Sequence, residues 1–345
     1  MRGNAELWAE AARLARGAIP AAVATVARQR GSLPMASDAK MLVTAEGRRC
    51  GTVGGGCVEA DVVRQALETL EQGTPGFARH TLNADVAGDI GLSCGGTVDL
   101  FLEPVFPSAE MARLFDAVAT GIAARSTVTV LTGLKWNGGP EKVALVDRRR
   151  VAVGTGERMV ALAGTYEGRS GGVLVDEEHS VFVEWIPRMP RVIIFGAGHV
   201  GAAIARVAAD AGFHVVITDD REDFANKDRV PEAHEIIVGD FNSVLDDLTI
   251  DEDDYILATT RGHSYDANII QRTAGSRARY VGMLGSKRKR AVIWKVLASA
   301  GVATEALERV KCPIGLEIGA DTPAEIAVSV MADLIRTRRL AESGE

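Results

Sequence analysis

Apolar residues recur along this chain in two rhythms, and the change between them predicts its organisation. From residue 191 onward, short apolar runs alternate with helix-like stretches. RVIIF (191–195), HVVITDD (214–220), EIIVG (235–239), YILATT (255–260) and YVGMLG (280–285) read as strands. AAIARVAADAG (202–212) carries its apolar residues at helical spacing between the first two. Strands alternating with helices predict a parallel α/β sheet. The last helix opens at Thr322-Pro323-Ala324-Glu325, an N-cap threonine, a proline at the first helical position and a glutamate at the third.

The first half is more mixed. Strands are expected at 21–27, 40–44, 49–53, 97–105, 126–131, 142–147 and 180–186, and helices at 57–72 and 108–123. Turn-forming stretches such as AEGRR (45–49) and KWNGGPE (135–141) separate several of them. The opening MRGNAELWAEAARLARG places Leu7, Ala11, Leu14 and Ala15 on one helical face. Pro187 and Pro190 bracket a short stretch that marks a boundary, giving a mixed α+β domain over 1–187 and a Rossmann-like domain over 188–345. No internal repeat and no low-complexity segment is visible in the sequence.

Composition narrows the function. With 345 residues, 47% of them hydrophobic, the chain has material for two cores. Lys and Arg number 39 against 46 Asp and Glu, a net charge of −7, which argues against a general nucleic-acid partner. The N-terminal helix is interrupted by Glu6, Glu10, Arg13 and Arg16, and the following AIPAAVATVA is far shorter than the roughly 20 residues needed to span a bilayer. A soluble, cytoplasmic protein without a membrane partner is expected. The four cysteines, Cys50, Cys57, Cys94 and Cys312, then read as reduced thiols, and none has the C-x-x-C spacing of a zinc site.

Two constellations carry chemistry. Gly196-Ala-Gly198-His-Val-Gly201 follows a strand, opens a helix and has an acid, Asp219, about 20 residues on, the dinucleotide-binding spacing. The glycines would give a tight turn, backbone access for a pyrophosphate and close helix packing. Asp219 would accept from a ribose hydroxyl, while Arg221 could meet a 2′-phosphate, leaving NAD and NADP both open. Farther on, GSKRKR (285–290) sets Ser286 as a helix cap with Lys287, Arg288, Lys289 and Arg290 crowding the first turn, where cations oppose the helix dipole. That cluster reads either as an anion site or as a solvated basic face.

The second constellation is GTVGGGCVEAD (51–61). Cys57 falls at the start of the helix expected over 57–72, where the dipole lowers a thiol's pKa and favours thiolate. Gly54, Gly55 and Gly56 allow the backbone to approach a ligand. GLSCGGTVDLFLEP (91–104) sets Cys94 before two glycines in a similar way. Cys50 and Cys312 lack such a frame and read as small buried hydrophobes.

These stretches resemble the xanthine dehydrogenase accessory factor family (XdhC/CoxI). Similar segments run through both halves: GSLPMASDAKMLV (31–43), GTVGGGCVEADV (51–62), GLSCGGTVDLFLEP (91–104), VIIFGAGHVG (192–201), YVGMLGSKRKR (280–290) and CPIGLEIGADTPAEIAVSVMADLI (312–335). The resemblance implies an XdhC-type domain followed by a Rossmann-like domain. It implies a protein that binds molybdenum cofactor (molybdopterin) through Cys57, the position with the cofactor-binding role in the family. The resemblance further implies that the protein supports sulfuration of the cofactor with a cysteine desulfurase and hands it to an apo molybdenum hydroxylase, and that it forms a homodimer. One departure stands out: many members carry arginine after G-S-x-P, where this chain has Met35, although Lys40 and Met41 fit.

Two readings compete with a cofactor chaperone. An NAD(P)-dependent oxidoreductase would use His263, which lies just after a predicted strand, as general acid or base. A redox sensor would pair Cys57 with Cys94, which requires Cα atoms within about 7 Å.

Overall fold

The chain, as a computed structural model, divides into two units, Met1–Arg188 and Met189–Glu345. The structure describes residues 2–31, 33, 35–54, 57–82, 96–136, 139–154, 157–166 and 171–343, with backbone alone at 2–4, 57, 82, 157–158 and 341–343.

The first unit contains one arrangement twice. Its first lobe runs α1 (Arg2–Arg16), β1 (Ala21–Gly31), β2 (Lys40–Thr44), β3 (Arg49–Thr52), α2 (Cys57–Gln72), β4 (Gly76–Leu82) and β5 (Gly96–Val105). Its second runs α3 (Ala109–Ala123), β6 (Val128–Gly133), β7 (Lys142–Val146), β8 (Arg149–Val153), α4 (Glu157–Thr165), β9 (Gly172–Asp176) and β10 (Val181–Ile186). The antiparallel sheets have the orders β3-β2-β1-β5-β4 and β8-β7-β6-β10-β9. Register repeats as well as order. Val23 faces Glu103 and Thr25 faces Lys40 in one lobe; Val130 faces Glu184 and Thr132 faces Lys142 in the other.

Helix ends repeat too. Ala18 (φ 56°) and Arg125 (φ 58°) hold the left-handed turn after α1 and α3, closed by Ile19 N–H to Leu14 O (3.0 Å) and Ser126 N–H to Gly121 O (2.8 Å). Equivalent residues meet each other, as they do on a two-fold axis: Trp8 packs on Phe115 at 5.4 Å, and Phe101 stacks on Phe182 at 4.5 Å. This corrects the expectation of no internal repeat. The duplication is of backbone and burial, and a core demands apolar residues of suitable size rather than identical ones.

Two crossed ion pairs tie the lobes. Lys40 of β2 reaches Glu184 of β10 at 2.6 Å, and Lys142 of β7 reaches Glu103 of β5 at 2.5 Å. Each ammonium also donates to the threonine beside it in its own sheet, Thr25 at 2.9 Å and Thr132 at 2.6 Å. The Trp8 ring lies 5.2 Å from one Nζ and 5.7 Å from the other. All four charged side chains are buried. The lysine of the DAKM segment therefore serves the seam between lobes.

In the second unit, six parallel strands, β11 (Arg191–Phe195), β12 (His214–Asp219), β13 (Glu235–Val238), β14 (Asp254–Ala258), β15 (Tyr280–Met283) and β16 (Val310–Lys311), take the order β13-β12-β11-β14-β15-β16. Their residues are apolar on both faces because helices cover both. Val192 and Ile194 enter one core with α5 (His199–Asp210) and α10 (Pro323–Ser343). Ile193 and Phe195 enter the other with α6 (Phe241–Asp247), α7 (His263–Thr273), α8 (Lys287–Ser299) and the short α9 (Thr304–Glu308). This is the doubly wound Rossmann order, whose direction reverses between β11 and β14.

Candidate functional site

In the first lobe, β3 ends in a turn that delivers the chain to α2, which begins at Cys57. Thr52 Oγ1 lies 2.5 Å from Glu59 Oε1 and accepts from Gly54 N–H at 3.3 Å, and Glu59 sits 3.6 Å from Arg49. Glu59, in the first turn of α2, also complements the helix dipole. Gly54 takes φ 125°, and a Cβ there would stand 2.9 Å from Met35 Cε. Met35, where the family pattern has arginine, thus packs against the glycine turn. Gly55, Gly56 and Cys94 lie outside the described residues, as does the Cys57 side chain.

The other two thiols are unsuited to nucleophilic or metal chemistry. Burial pushes the Cys50 thiol up, helped by Glu10 and Glu6. Burial does the same to Cys312, against the pull of Lys289 and Arg290. Both stay protonated at neutral pH.

In the second unit the strands point their carboxyl ends at one edge, and the dinucleotide fingerprint lies at the switch between β11 and β14. The three glycines have three environments. A Cβ on Gly196 (φ 110°) would stand 2.6 Å from Thr259 O, and one on Gly201 would stand 1.9 Å from Gly196 O, whereas one on Gly198 would meet nothing within 4 Å. The middle glycine therefore borders open space, where a ligand's backbone approach is possible.

Asp219, at the end of β12, is buried and fully engaged. Its Oδ2 accepts from Ala197 N–H at 2.8 Å and Arg221 Nη2 at 3.1 Å; its Oδ1 accepts from Arg221 Nε at 2.8 Å and Arg221 N–H at 3.2 Å. Burial would raise its pKa, but the Arg221 and Ala197 donors prevail and hold it below the usual carboxylate range. Arg221 in turn stacks on Phe224 at 3.7 Å.

His263 is the first residue of α7 and, like His199 at the start of α5, is exposed. Ser286 caps α8 by accepting from Lys289 N–H at 3.1 Å. Lys287 and Arg288 extend into solvent from its first turn. Lys289 turns inward, donating to Leu284 O at 2.8 Å and to the buried Asp266 carboxylate. Asp266 also accepts from Thr260 Oγ1 at 2.7 Å, and burial pushes its pKa up. The basic run is thus divided: one lysine fastens α8 to α7, and the others face water.

Sequence reasoning missed this network and the ion pair of Asp220 with Arg261. The signal was present in TTRGHSYDAN, where Thr260 and Asp266 stand six residues apart across the start of a helix. Among the described residues no group of three or more His, Cys, Asp or Glu is placed to hold a metal ion, and no helix is long and apolar enough to cross a membrane.

Comparison with known proteins agrees with this architecture. The sequence model of the XdhC and CoxI family matches residues 14–82, and that of the XdhC Rossmann domain matches residues 192–334. The chain is 27% identical to a protein of Bacillus subtilis named as a probable component of xanthine dehydrogenase, covering 92% of this chain and 93% of that one. It is 25% identical to the molybdenum cofactor insertion chaperone PaoD of Escherichia coli, covering 92% and 83%. The uncharacterized protein YqeB of Escherichia coli is 25% identical over 98% of this chain, which spans 47% of that protein's length. A crystal structure of a xanthine dehydrogenase from Bacillus halodurans superposes with a TM-score of 0.77 at 28% identity, covering 96% of each chain. With a match in each unit and one solved structure alike over nearly its whole length, the chain belongs to the XdhC and CoxI family.

Proposed function

We propose that this chain is an accessory factor that binds molybdenum cofactor through its first lobe, supports sulfuration of the cofactor by a cysteine desulfurase, and delivers it to a molybdenum hydroxylase of the xanthine dehydrogenase type. The observation that carries this is that α2 opens at Cys57, shortly after β3 and the Gly54 turn, while the thiols of Cys50 and Cys312 stay protonated. A thiol at a helix N-terminus gains thiolate character, and thiolate is a soft ligand suited to the metal end of the cofactor. Gly54, three residues before Cys57 in the sequence, takes a left-handed φ and is closed on one side by Met35. The relatives named for cofactor insertion and for xanthine dehydrogenase support the same client class.

The test is molybdenum and pterin content after incubation with released cofactor and desalting. Wild type is expected to retain both stoichiometrically and Cys57→Ala to retain neither at an unchanged melting temperature. Equal retention by the variant would remove the thiol from the mechanism.

A second reading concerns the other unit, where Gly198 borders open space beside Asp219. We infer that this crevice takes an adenine dinucleotide, NAD or NADP, as a bound effector or redox partner. NAD, NADP or ADP-ribose should raise the melting temperature; no shift with any of them overturns the assignment.

A further inference from the structure

The glycine turn at the end of β11 is enclosed by a ring of contacts. On one flank Ala197 N–H donates to Asp219 of β12. On the other, Gly196 lies directly against the loop that follows β14, so closely that a Cβ would stand 2.6 Å from Thr259 O and 3.0 Å from Thr260 Cα. The next residue on each flank closes the ring. Arg261 Nη2 donates to Asp220 Oδ2 at 2.8 Å, and Nη1 to Oδ1 at 3.1 Å. Because β12 and β14 are the two neighbours of β11, this forked ion pair joins loops on either side of the strand from which the turn springs.

A dinucleotide brings a diphosphate to that turn, and the turn itself, Gly196 to Gly201, has neither lysine nor arginine. Of the two arginines beside it, Arg221 is committed to the buried Asp219 through both Nε and Nη2. Arg261 is held by the partly exposed Asp220 and lies over the Tyr265 ring at 5.8 Å, with 47% of its side chain open to solvent. Its planar fork fits two phosphate oxygens as well as it fits a carboxylate. We propose that Arg261 is the diphosphate-binding cation of this crevice and that Asp220 holds it as a strap across the turn, the guanidinium exchanging carboxylate for phosphate when a dinucleotide enters. This rests on the assignment of the crevice to an adenine dinucleotide.

The two partners of one ion pair then have opposite effects. In titration calorimetry of the full chain with ADP-ribose, Arg261→Ala should weaken binding about tenfold or more, and Arg261→Lys should recover part of the loss. Asp220→Asn keeps a similar shape but releases the arginine, and should tighten binding severalfold. Melting temperatures of the variants check that each is folded. Wild-type affinity in Arg261→Ala, or weakened binding in folded Asp220→Asn, overturns the strap while leaving the dinucleotide site standing. Absence of binding by both wild type and Asp220→Asn overturns the site itself and the strap with it.

Discussion

Replacing Lys40 by methionine is expected to destabilise the first unit by about 3–5 kcal/mol, because the change strands a buried carboxylate. Glu184 is left with a side chain only 9% exposed and without the ammonium that stood 2.6 Å away. Thr25 loses its donor at the same time. A salt bridge of this kind contributes little over an apolar replacement of both partners, yet it is costly to break from one side. The double variant Lys40→Met, Glu184→Leu should therefore recover most of the loss. Lys142→Met should repeat the effect through Glu103, since the second pair occupies the equivalent place. Urea unfolding followed by tryptophan fluorescence provides the measurement, and Trp8, beneath both ammonium groups, reports on the seam directly. The exposed Arg64, paired with Glu68 on the surface of α2, is the control whose removal leaves the midpoint in place. Single variants as stable as wild type would mean that water reaches the seam.

Gly201→Ala should be the most damaging methyl group in the second unit, costing about 3 kcal/mol or more as an overpacked backbone contact. The new Cβ would meet Gly196 O at 1.9 Å and Thr259 Oγ1 at 3.1 Å. Neither atom is free to retreat. Gly196 is anchored by its N–H to Thr218 O at 2.7 Å, and Thr259 Oγ1 lies 3.1 Å from Phe195 O and 3.0 Å from Gly196 O. Gly198→Ala is the matched contrast, since its Cβ enters open space and its φ of −66° suits any residue. It should fold normally and lose dinucleotide affinity, because it fills the side a ligand would approach. A common melting temperature for the two variants would contradict this division of roles.

The second unit was legible because its strands are continuous apolar runs and its turn chemistry is explicit. Five of its six strands, the fingerprint and the Ser286 and Thr322 caps could all be read from residue types, although four of the expected runs overshoot their strands by one or two residues and the two-residue β16 has no apolar run to announce it. The first unit was legible only in part. β4 (GFARHTL) alternates an exposed Phe77, Arg79 and Thr81 with a buried Ala78 and His80, and its polar content conceals it. β8 begins with two arginines after Asp147 and Arg148, which hold φ of 45° and 68° in a tight hairpin that ordinarily calls for asparagine and glycine. Charged residues at buried positions concealed the seam as well: nothing in the spacing of Lys40 and Glu184 announces that they meet. At the crevice, the residue types pointed to Asp219 as a ligand acceptor, but could not reveal that Arg221 and Ala197 already saturate it. The start of α2 at Cys57 was readable from the helical spacing that follows it, whereas the contact between Met35 and Gly54 depends on a chain reversal that leaves no local signature.

The two lobes of the first unit have the anatomy of a dimer written as one polypeptide. In a true homodimer the axis forces both partners to bear the same loop, so a binding residue gained by one is gained twice. Covalent fusion removes that constraint. Here one copy opens its helix with Cys57 behind three glycines, while the other opens with Glu157 and holds no cysteine anywhere between residues 107 and 187. The partner lobe keeps the strands, the helix face and the reciprocal lysine and glutamate, and so serves as a counterpart that completes the core. Two lobes alike in their cores are thus free to differ in chemistry, and the turn that opens one helix can change without the other following.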